Sequence, residues 1–236
     1  MSFLSATECF FDGARTDTLT FGSQSVDITG PVSDTTILKD NIKGSVTVNT
    51  SCNAGQGQNL NSKQSGVAVT STTINGVKIA LFPTNVQGIV YGIKFVSDSE
   101  PPTGYIAMST DYTTVFSVDD NHDKEYWKGK SGHFDLTLFQ TRDYIPGQGH
   151  TITPNANMVG DFRIGSQTDA QDIQINNNAF TLTIPQPTCD AATLENSDNA
   201  SGTQVNLGDY YTSELIGNKD PKKNSFYYKI NWMRWC

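Results

Sequence analysis

Short alternating apolar runs, separated by Gly, Pro, Asn and Asp, extend over residues 19–185 and constrain the fold more than any other feature. Runs of this kind are typical of strands that bury one face, and their close spacing is typical of a sandwich or barrel. Residues 133–139 alternate throughout, with Phe134, Leu136 and Leu138 on one face and the other face expected to meet solvent. The sequence therefore predicts an all-β fold, either an antiparallel Ig-like sandwich or a jelly roll.

The amino-acid composition agrees with strands rather than helices. Hydrophobic residues make up 36% and charged residues 17% of the 236 residues, below the roughly 45–50% and 25% of typical soluble domains. Thr, Val, Gly and Asn favour strands and turns, while the helix formers Leu, Ala, Lys and Glu are few. Asn75-Gly76, between two apolar runs, predicts a tight hairpin turn because both residues tolerate positive φ.

The charge balance limits the classes of partner. The 24 acidic and 16 basic residues give a formal net charge of -8, which repels a phosphate backbone and excludes nucleic acid. No stretch approaches the ~20 apolar residues that span a bilayer, so we expect no membrane insertion. The first residues lack the basic and apolar regions of a signal peptide, so we expect either a cytosolic chain or a mature exported one.

The four cysteines, Cys9, Cys52, Cys189 and Cys236, form two pairs of nearly equal spacing. They contain no C-x-x-C motif and have no histidine at zinc spacing, so they do not indicate a metal cluster. Two sequential disulfides, Cys9 with Cys52 and Cys189 with Cys236, fit an oxidising compartment such as a periplasm or the cell exterior. Four reduced thiols in the core are the alternative.

A linker signal divides the chain near Pro187. Pro185 and Pro187 flank a short polar stretch, and prolines hold a chain extended without donating to a sheet. We therefore expect a first domain at residues 1–186 and a second segment at residues 187–236. The second segment has about half of the ~100 residues of an Ig-like sandwich.

Residues 189–236 resemble the opening half of a pilin domain from chaperone–usher fimbriae. That family begins with a cysteine, continues with a Val-x-Leu-Gly strand and a Ser/Leu-rich loop, and then reaches an alternating apolar strand closed by a second cysteine. The corresponding elements here are Cys189, Val205-Asn206-Leu207-Gly208, Ser213-Glu214-Leu215 and the stretch from Phe226 to Cys236. The resemblance implies an incomplete Ig-like pilin segment, truncated before the second half of the domain.

The upstream β-rich domain resembles the receptor-binding domain of a two-domain tip adhesin in architecture and chain order. The resemblance implies an exported protein at the fimbrial tip of a bacterial surface that binds a host glycan or glycoprotein receptor. It also implies that a periplasmic chaperone, the usher and the adjacent pilus subunit contact the pilin segment, because pilin domains are completed by β-augmentation. No sugar-binding motif of an adhesin subfamily matches, so the resemblance assigns no binding residue.

The most site-like stretch lies at residues 119–127. Carboxylates and amides hydrogen-bond the hydroxyls of a neutral sugar, and aromatic rings stack on its C–H face. The predicted ligand-binding residues are Asp119, Asp120, Asn121, Asp123, Tyr126 and Trp127. The alternative is a solvated loop whose Trp127 packs on the core. If Trp127→Ala lowers stability and Asp120→Ala leaves binding unchanged, the site lies elsewhere, and residues 55–65 and 140–150 are the next loops to test.

The sequence offers weak signals for metal binding and catalysis. Asp119, Asn121 and Asp123 match the start of a calcium loop, but Lys124 and Lys130 occupy the positions of its Gly and bidentate Glu. The three histidines are not at zinc spacing, and no G-x-S-x-G or H-E-x-x-H motif occurs. We therefore predict a non-catalytic binding module without cofactor or metal. The alternatives are a structural or assembly subunit of the fimbria and a secreted β-sandwich glycoside hydrolase.

Overall fold

The computed structural model divides the chain into two compact units, Met1–Pro185 and Gln186–Cys236. In the first unit it describes residues 9–13, 16–28, 30–53, 58–99, 103–118, 126–145, 151–155, 158–165 and 170–185, and in the second unit four short strands. None of the described residues belongs to a helix of the length and apolar character that crossing a membrane requires.

The described residues of the first unit form strands, turns and loops without an α-helix, which confirms the predicted all-β class. The strands are β1 (Cys9–Asp12), β2 (Thr16–Leu19), β3 (Gln24–Ser25), β4 (Thr36–Cys52), β5 (Leu60–Gln64), β6 (Thr70–Ile74), β7 (Val77–Pro83), β8 (Ile89–Ser97), β9 (Thr103–Tyr105), β10 (Thr113–Phe116), β11 (Lys130–Gln140), β12 (Thr151–Ile152), β13 (Met158–Ile164), β14 (Gln171–Ile175) and β15 (Leu182–Thr183).

Two larger sheets and one small sheet organise these strands. The first has the order β1-β4-β11-β8-β7-β6, with β9 also paired to β8, and the second has the order β10-β5-β13-β14-β2. The small sheet is β12-β15-β3. Most pairings are antiparallel, as predicted, but β14 pairs with β2 and β15 with β3 in parallel. Side-chain alternation is the same in both directions, so the sequence pattern contains no signal for these two parallel pairings.

Aromatic side chains from both larger sheets meet in one core. The ring of Phe95 on β8 lies 5.7 Å from Phe134 on β11 and 6.5 Å from Phe162 on β13, centroid to centroid. Phe134 and Phe162 are themselves 5.6 Å apart. Because β8 and β11 belong to one sheet and β13 to the other, these contacts show the face-to-face packing of a sandwich.

Strand β11 has a fully buried apolar face and a polar face that is also buried. Phe134, Leu136 and Leu138 are inaccessible to solvent, as predicted. The expectation that the opposite face meets solvent is wrong, because Asp135 and Thr137 are buried as well. Thr137 on this face is hydrogen-bonded to Asp40 and Tyr105, which compensates for its loss of water. The Asp135 carboxylate is only partly compensated, because its Oδ1 is buried without a hydrogen-bond partner.

The partners of this polar face form a connected network. Lys94 on β8 places its Nζ 2.7 Å from Asp40 Oδ1 and 2.8 Å from Asn41 Oδ1 on β4. The hydroxyl of Thr137 donates to the same Asp40 oxygen at 2.5 Å, and the Tyr105 hydroxyl lies 2.8 Å from that of Thr137. These bonds compensate for the desolvation of the Lys94 ammonium and the Asp40 carboxylate.

The hairpin predicted at Asn75-Gly76 is confirmed. Strands β6 and β7 pair antiparallel with Ile74 opposite Val77 on either side of the turn. Asn75 and Gly76 have φ values of 50° and 79°, the left-handed conformation that a two-residue type I′ turn requires.

The disulfide predicted between Cys9 and Cys52 is present and joins the start of β1 to the end of β4. No cysteine within the described residues is free. Cys189 and Cys236 lie outside the described residues, so their pairing stays a prediction.

In the second unit the described residues are four two-residue strands. These are β16 (Leu194–Glu195), β17 (Ala200–Ser201), β18 (Gln204–Val205) and β19 (Tyr227–Tyr228). Antiparallel pairing joins β16 to β19 and β17 to β18. The assignment of residues 187–236 to a pilin domain stays a prediction.

Candidate functional site

The predicted binding stretch begins after Val118, two residues beyond the end of β10, and ends with Tyr126 and Trp127, which precede β11. Its polar candidates, Asp119, Asp120, Asn121 and Asp123, lie outside the described residues, whereas the residues on both flanks are described. The structure therefore shows how the stretch is held, and the two aromatic candidates can be placed.

Trp127 is a core residue. Its side chain is fully buried, and its indole Nε1 donates a hydrogen bond of 2.6 Å to the Gln58 carbonyl. The Thr50 hydroxyl donates to the Trp127 carbonyl, and the indole ring lies 6.2 Å from the ring of Phe95. The prediction for Trp127 is corrected accordingly, because a ring enclosed on this scale has no free face for a sugar.

Tyr126 is also largely enclosed by protein contacts. Its ring is 5.8 Å from Phe116 and 5.0 Å from Trp127, centroid to centroid. The ammonium of Lys130 lies 4.2 Å from the centre of the Tyr126 ring, within the range of a cation–π interaction. Tyr126 and Trp127 together fix the carboxyl-terminal flank of the stretch on the core.

The amino-terminal flank is held by the residue next to Gln58. The Val118 amide donates to Asn59 Oδ1 at 3.0 Å. Because Gln58 and Asn59 are consecutive and precede β5, both flanks of residues 119–125 attach to the same point of the sandwich. The sequence did not indicate these two polar residues as supports.

Gln58 and Asn59 also bond two other parts of the chain. Gln58 Oε1 accepts from the Cys9 amide at 2.6 Å, and the Asn59 carbonyl accepts from the Gly165 amide at 2.8 Å. Gly165 has a φ of +64°, and a Cβ there would approach the Gln58 side chain to 2.7 Å. We call this part of the sandwich the loop end, defined by Gln58, Asn59, Val118, Trp127 and Gly165.

The three stretches considered as binding loops, residues 55–65, 119–127 and 140–150, do not all begin at the loop end. Residues 55–65 include Gln58 and Asn59 and so begin here. Residues 140–150 follow the far end of β11, where Gln140 pairs with Ile89 and Thr36, whereas Lys130 at the near end pairs with Thr50. The flanks of residues 119–125 and the start of β5 therefore lie together, whereas residues 140–150 begin at the other end of β11. The expectation of a loop at residues 55–65 is wrong for Leu60–Gln64, which form strand β5.

An acidic and histidine cluster lies on the outer side of the first sheet, near the loop end. His133 Nδ1 is 2.6 Å from Asp98 Oδ1, and His133 Nε2 is 3.2 Å from Asp135 Oδ1. Burial raises the pKa of Asp98, but hydrogen bonds from Ser131 and His133 outweigh it and hold this pKa below the ordinary value. Burial raises the pKa of Asp135. Within the described ranges, no three His, Cys, Asp or Glu residues are arranged to hold a metal ion.

No protein-family model and no curated protein matches the sequence. Among solved structures, the chain is similar to the Proteus mirabilis Ambient Temperature Fimbriae adhesin AtfE, with a TM-score of 0.42 and 10% identity over 72% of this chain and 99% of that chain. It is also similar to the receptor binding domain of the plasmid-born adhesin MrkD1P of Klebsiella pneumoniae. That likeness has a TM-score of 0.37 and 18% identity over 78% of this chain and 99% of that chain.

Proposed function

We propose that the first unit is a non-catalytic binding domain of the tip-adhesin type, which presents residues 119–125 to a host-surface glycan or glycoprotein. The supporting observation is the attachment of this acidic stretch to a rigid all-β scaffold at both flanks. Val118 bonds Asn59 on one side, and the buried Trp127 bonds Gln58 on the other. Binding residues are commonly found on loops held in this way.

Recognition in this proposal depends on hydrogen bonds rather than on ring stacking. Asp119, Asp120, Asn121 and Asp123 offer carboxylate and amide oxygens to sugar hydroxyls, while Tyr126 and Trp127 remain in the core. A few such bonds of about 1 kcal/mol each give single-site dissociation constants near the millimolar range. Many copies on one cell surface raise the overall avidity.

We further propose that residues 187–236 join this domain to a fimbria, as the sequence resemblance to a pilin domain implies. The chain would then be exported to the fimbrial tip and contact a periplasmic chaperone, the usher and the adjacent pilus subunit. The Cys9–Cys52 disulfide supports the export step, because disulfides persist in a periplasm or outside the cell.

A glycan array tests the binding proposal, with the full chain displayed on beads so that weak contacts add. Asp120→Ala is expected to abolish retention on the array. Asp111→Ala is the matched control, because Asp111 is an exposed aspartate near the opposite end of β10 from the loop end. Asp111→Ala is expected to keep the wild-type melting temperature within about 1–2 °C, as surface substitutions do. A melting temperature of Asp120→Ala in the same range would separate loss of binding from loss of folding.

Three results would contradict the proposal. A blank array for the wild-type chain favours the structural or assembly subunit. Release of free sugar from labelled glycans favours the glycoside hydrolase. Retention of Asp120→Ala and Asp123→Ala at the wild-type level places the ligand away from residues 119–125.

A further inference from the structure

The edges of the two larger sheets differ in their protection against a further strand. Edge strand β1 contains Asp12 and is tied to β4 by the disulfide. Edge strand β2 contains Asp17, and β10 shifts its register between Thr114 and Phe116. Charges, short length and bulges are the usual devices that prevent edge-to-edge pairing.

Strand β6 is also short, with 5 residues, but it has neither a charge nor a bulge. Its sequence, Thr-Ser-Thr-Thr-Ile, contains no charge and no proline, and its pairing with β7 shows no register shift. Most of its residues are β-branched, which suits strand pairing. Just before it, Val67 and Val69 are 82% and 57% exposed. Within the described part of the chain, β6 pairs with β7 alone.

The hairpin turn determines which backbone groups of β6 face outward. A two-residue turn makes Ile74 and Val77 a hydrogen-bonded pair, and bonded and non-bonded pairs alternate along the ladder. Ser71 opposite Ala80 and Thr73 opposite Lys78 are then the non-bonded pairs. Their N–H and C=O groups on β6 point away from β7, toward the edge.

A cavity of about 270 Å³ lies where β6 begins. Its walls include Val69, Val86, Ile89 and Val90, with Asp143 among the lining residues. The Asp143 side chain is 67% exposed, and its Oδ1 lies 4.0 Å from the Nε of the exposed Arg142. The cavity thus offers apolar contact to a side chain that enters it and a carboxylate to a cation beside it.

We propose that the β6 edge binds an extended polypeptide segment of another protein as an additional strand, with an apolar side chain in this cavity and a Lys or Arg near Asp143. β-Augmentation supplies the backbone hydrogen bonds, and the cavity supplies side-chain selectivity. The formal net charge of -8 opposes a second copy of this chain and favours a neutral to basic segment. The cavity is at the opposite end of the sandwich from the loop end, so this site is independent of the glycan proposal.

The probe is a blocked nine-residue peptide of alternating threonine and valine with a lysine at each end. Its binding to the full chain is followed by fluorescence anisotropy. N-Methylation of alternate backbone amides is expected to weaken binding at least about tenfold, since it removes the donors of the new ladder. Amide exchange at Ser71 and Thr73 is expected to slow when the unmethylated peptide binds.

Three protein variants test the location of the site. Thr73→Lys is expected to weaken peptide binding about tenfold, because a charge on an edge strand opposes pairing. Thr18→Lys makes the same change at an exposed position of edge strand β2 and is expected to bind as wild type. Asp143→Asn is expected to weaken the lysine peptide about threefold and to leave a peptide with glutamine ends unaffected.

The proposal is overturned if the wild-type chain does not bind the peptide, or if the methylated peptide binds equally well. It is also overturned if protection appears at Val118 or Gly165 instead of at Ser71 and Thr73. A dimer in sedimentation that Thr73→Lys dissociates would make a second copy of this chain the occupant. Thermal melts of each variant separate loss of binding from loss of folding.

Discussion

The two ends of the sandwich hold their loops in different ways. At the loop end, Trp127 is fully buried and bonds the backbone of Gln58. At the opposite end, Asn85 bonds the backbone of Thr151 and Thr153 at 2.9 and 2.7 Å while remaining exposed. The bonds of Trp127 are therefore in the core and those of Asn85 at the surface, although Thr84, next to Asn85, is itself buried and bonds the Ile89 carbonyl at 2.7 Å.

This difference separates the two surfaces that we propose as binding sites. Buried supports keep the ends of a loop fixed while its own side chains stay free for a ligand. A surface with an open cavity and an unprotected edge strand instead offers backbone groups and apolar contact directly. Removing a buried support is expected to cost far more stability than removing an exposed one, and substitutions can test this comparison.

The largest effect is expected from Trp127→Ala. It removes a fully buried ring and leaves the Gln58 carbonyl without its indole donor, so unfolding free energy is expected to fall by about 3–5 kcal/mol. Urea denaturation measures this change. The control is Asp143→Ala, on the surface of the opposite end, which is expected to lower the unfolding free energy by less than about 0.5 kcal/mol. A loss below about 1 kcal/mol for Trp127→Ala would mean that the ring is free in solution.

Removal of the disulfide is expected to have the next largest effect. The double variant Cys9→Ser with Cys52→Ser frees a loop of sequence separation 43 and is expected to cost about 2–4 kcal/mol. Melting temperatures of wild type and variant, with and without reductant, measure it. If this disulfide accounts for the effect of reductant, the melting temperature of the variant should not change when reductant is added. A wild-type melting temperature that is equal with and without reductant would contradict the expectation.

The elements that the sequence predicted correctly depend on local signals. The alternation over residues 133–139 and the Asn75-Gly76 turn each specify their own backbone within a few residues. The polar face of β11 could not be predicted, because its burial depends on Lys94 and Asp40 from neighbouring strands. An alternating polar position has the same pattern whether water or another strand covers it.

The candidate site shows the same limit. A tryptophan beside acidic residues fits a sugar site and a buried support equally well, since both use a large ring with a hydrogen-bond donor. The position of Trp127 is decided by Phe95 and by the Gln58 carbonyl 69 residues away in sequence. The support from Asn59 is likewise nonlocal, because its partner Val118 is 59 residues away.

A matched asparagine pair tests the comparison directly. Asn59→Ala removes the part-buried acceptor of the Val118 amide and is expected to cost about 1 kcal/mol. Asn85→Ala removes exposed bonds and is expected to cost about half as much. Chemical denaturation gives both values, and amide exchange at Val118 should accelerate in the first variant alone. Equal costs and unchanged exchange would show that the two ends are held alike.

The smallest effect concerns pH, where two groups of aspartates act in opposite directions. The pKa values of Asp40 and Asp98 are lowered in the folded state: burial raises them, but hydrogen bonds from Lys94 and Thr137, and from Ser131 and His133, outweigh it. These two carboxylates therefore stabilise the fold above their unfolded pKa of about 3.9, and that contribution is lost as the pH falls through their folded values.

Burial instead raises the pKa values of Asp17, Asp135 and Asp172 in the folded state. Each of these carboxylates opposes folding when ionised, so stability is expected to rise as the pH falls from neutral through their folded values. The melting temperature should then pass through a maximum at mildly acidic pH and decline below about pH 4. Thermal melts from pH 3 to pH 8 test this. Asp135→Asn should reduce the rise in melting temperature between neutral and mildly acidic pH, and Asp98→Asn should reduce its decline at lower pH. A profile that Asp135→Asn leaves unchanged would mean that the Asp135 carboxylate is hydrated in solution.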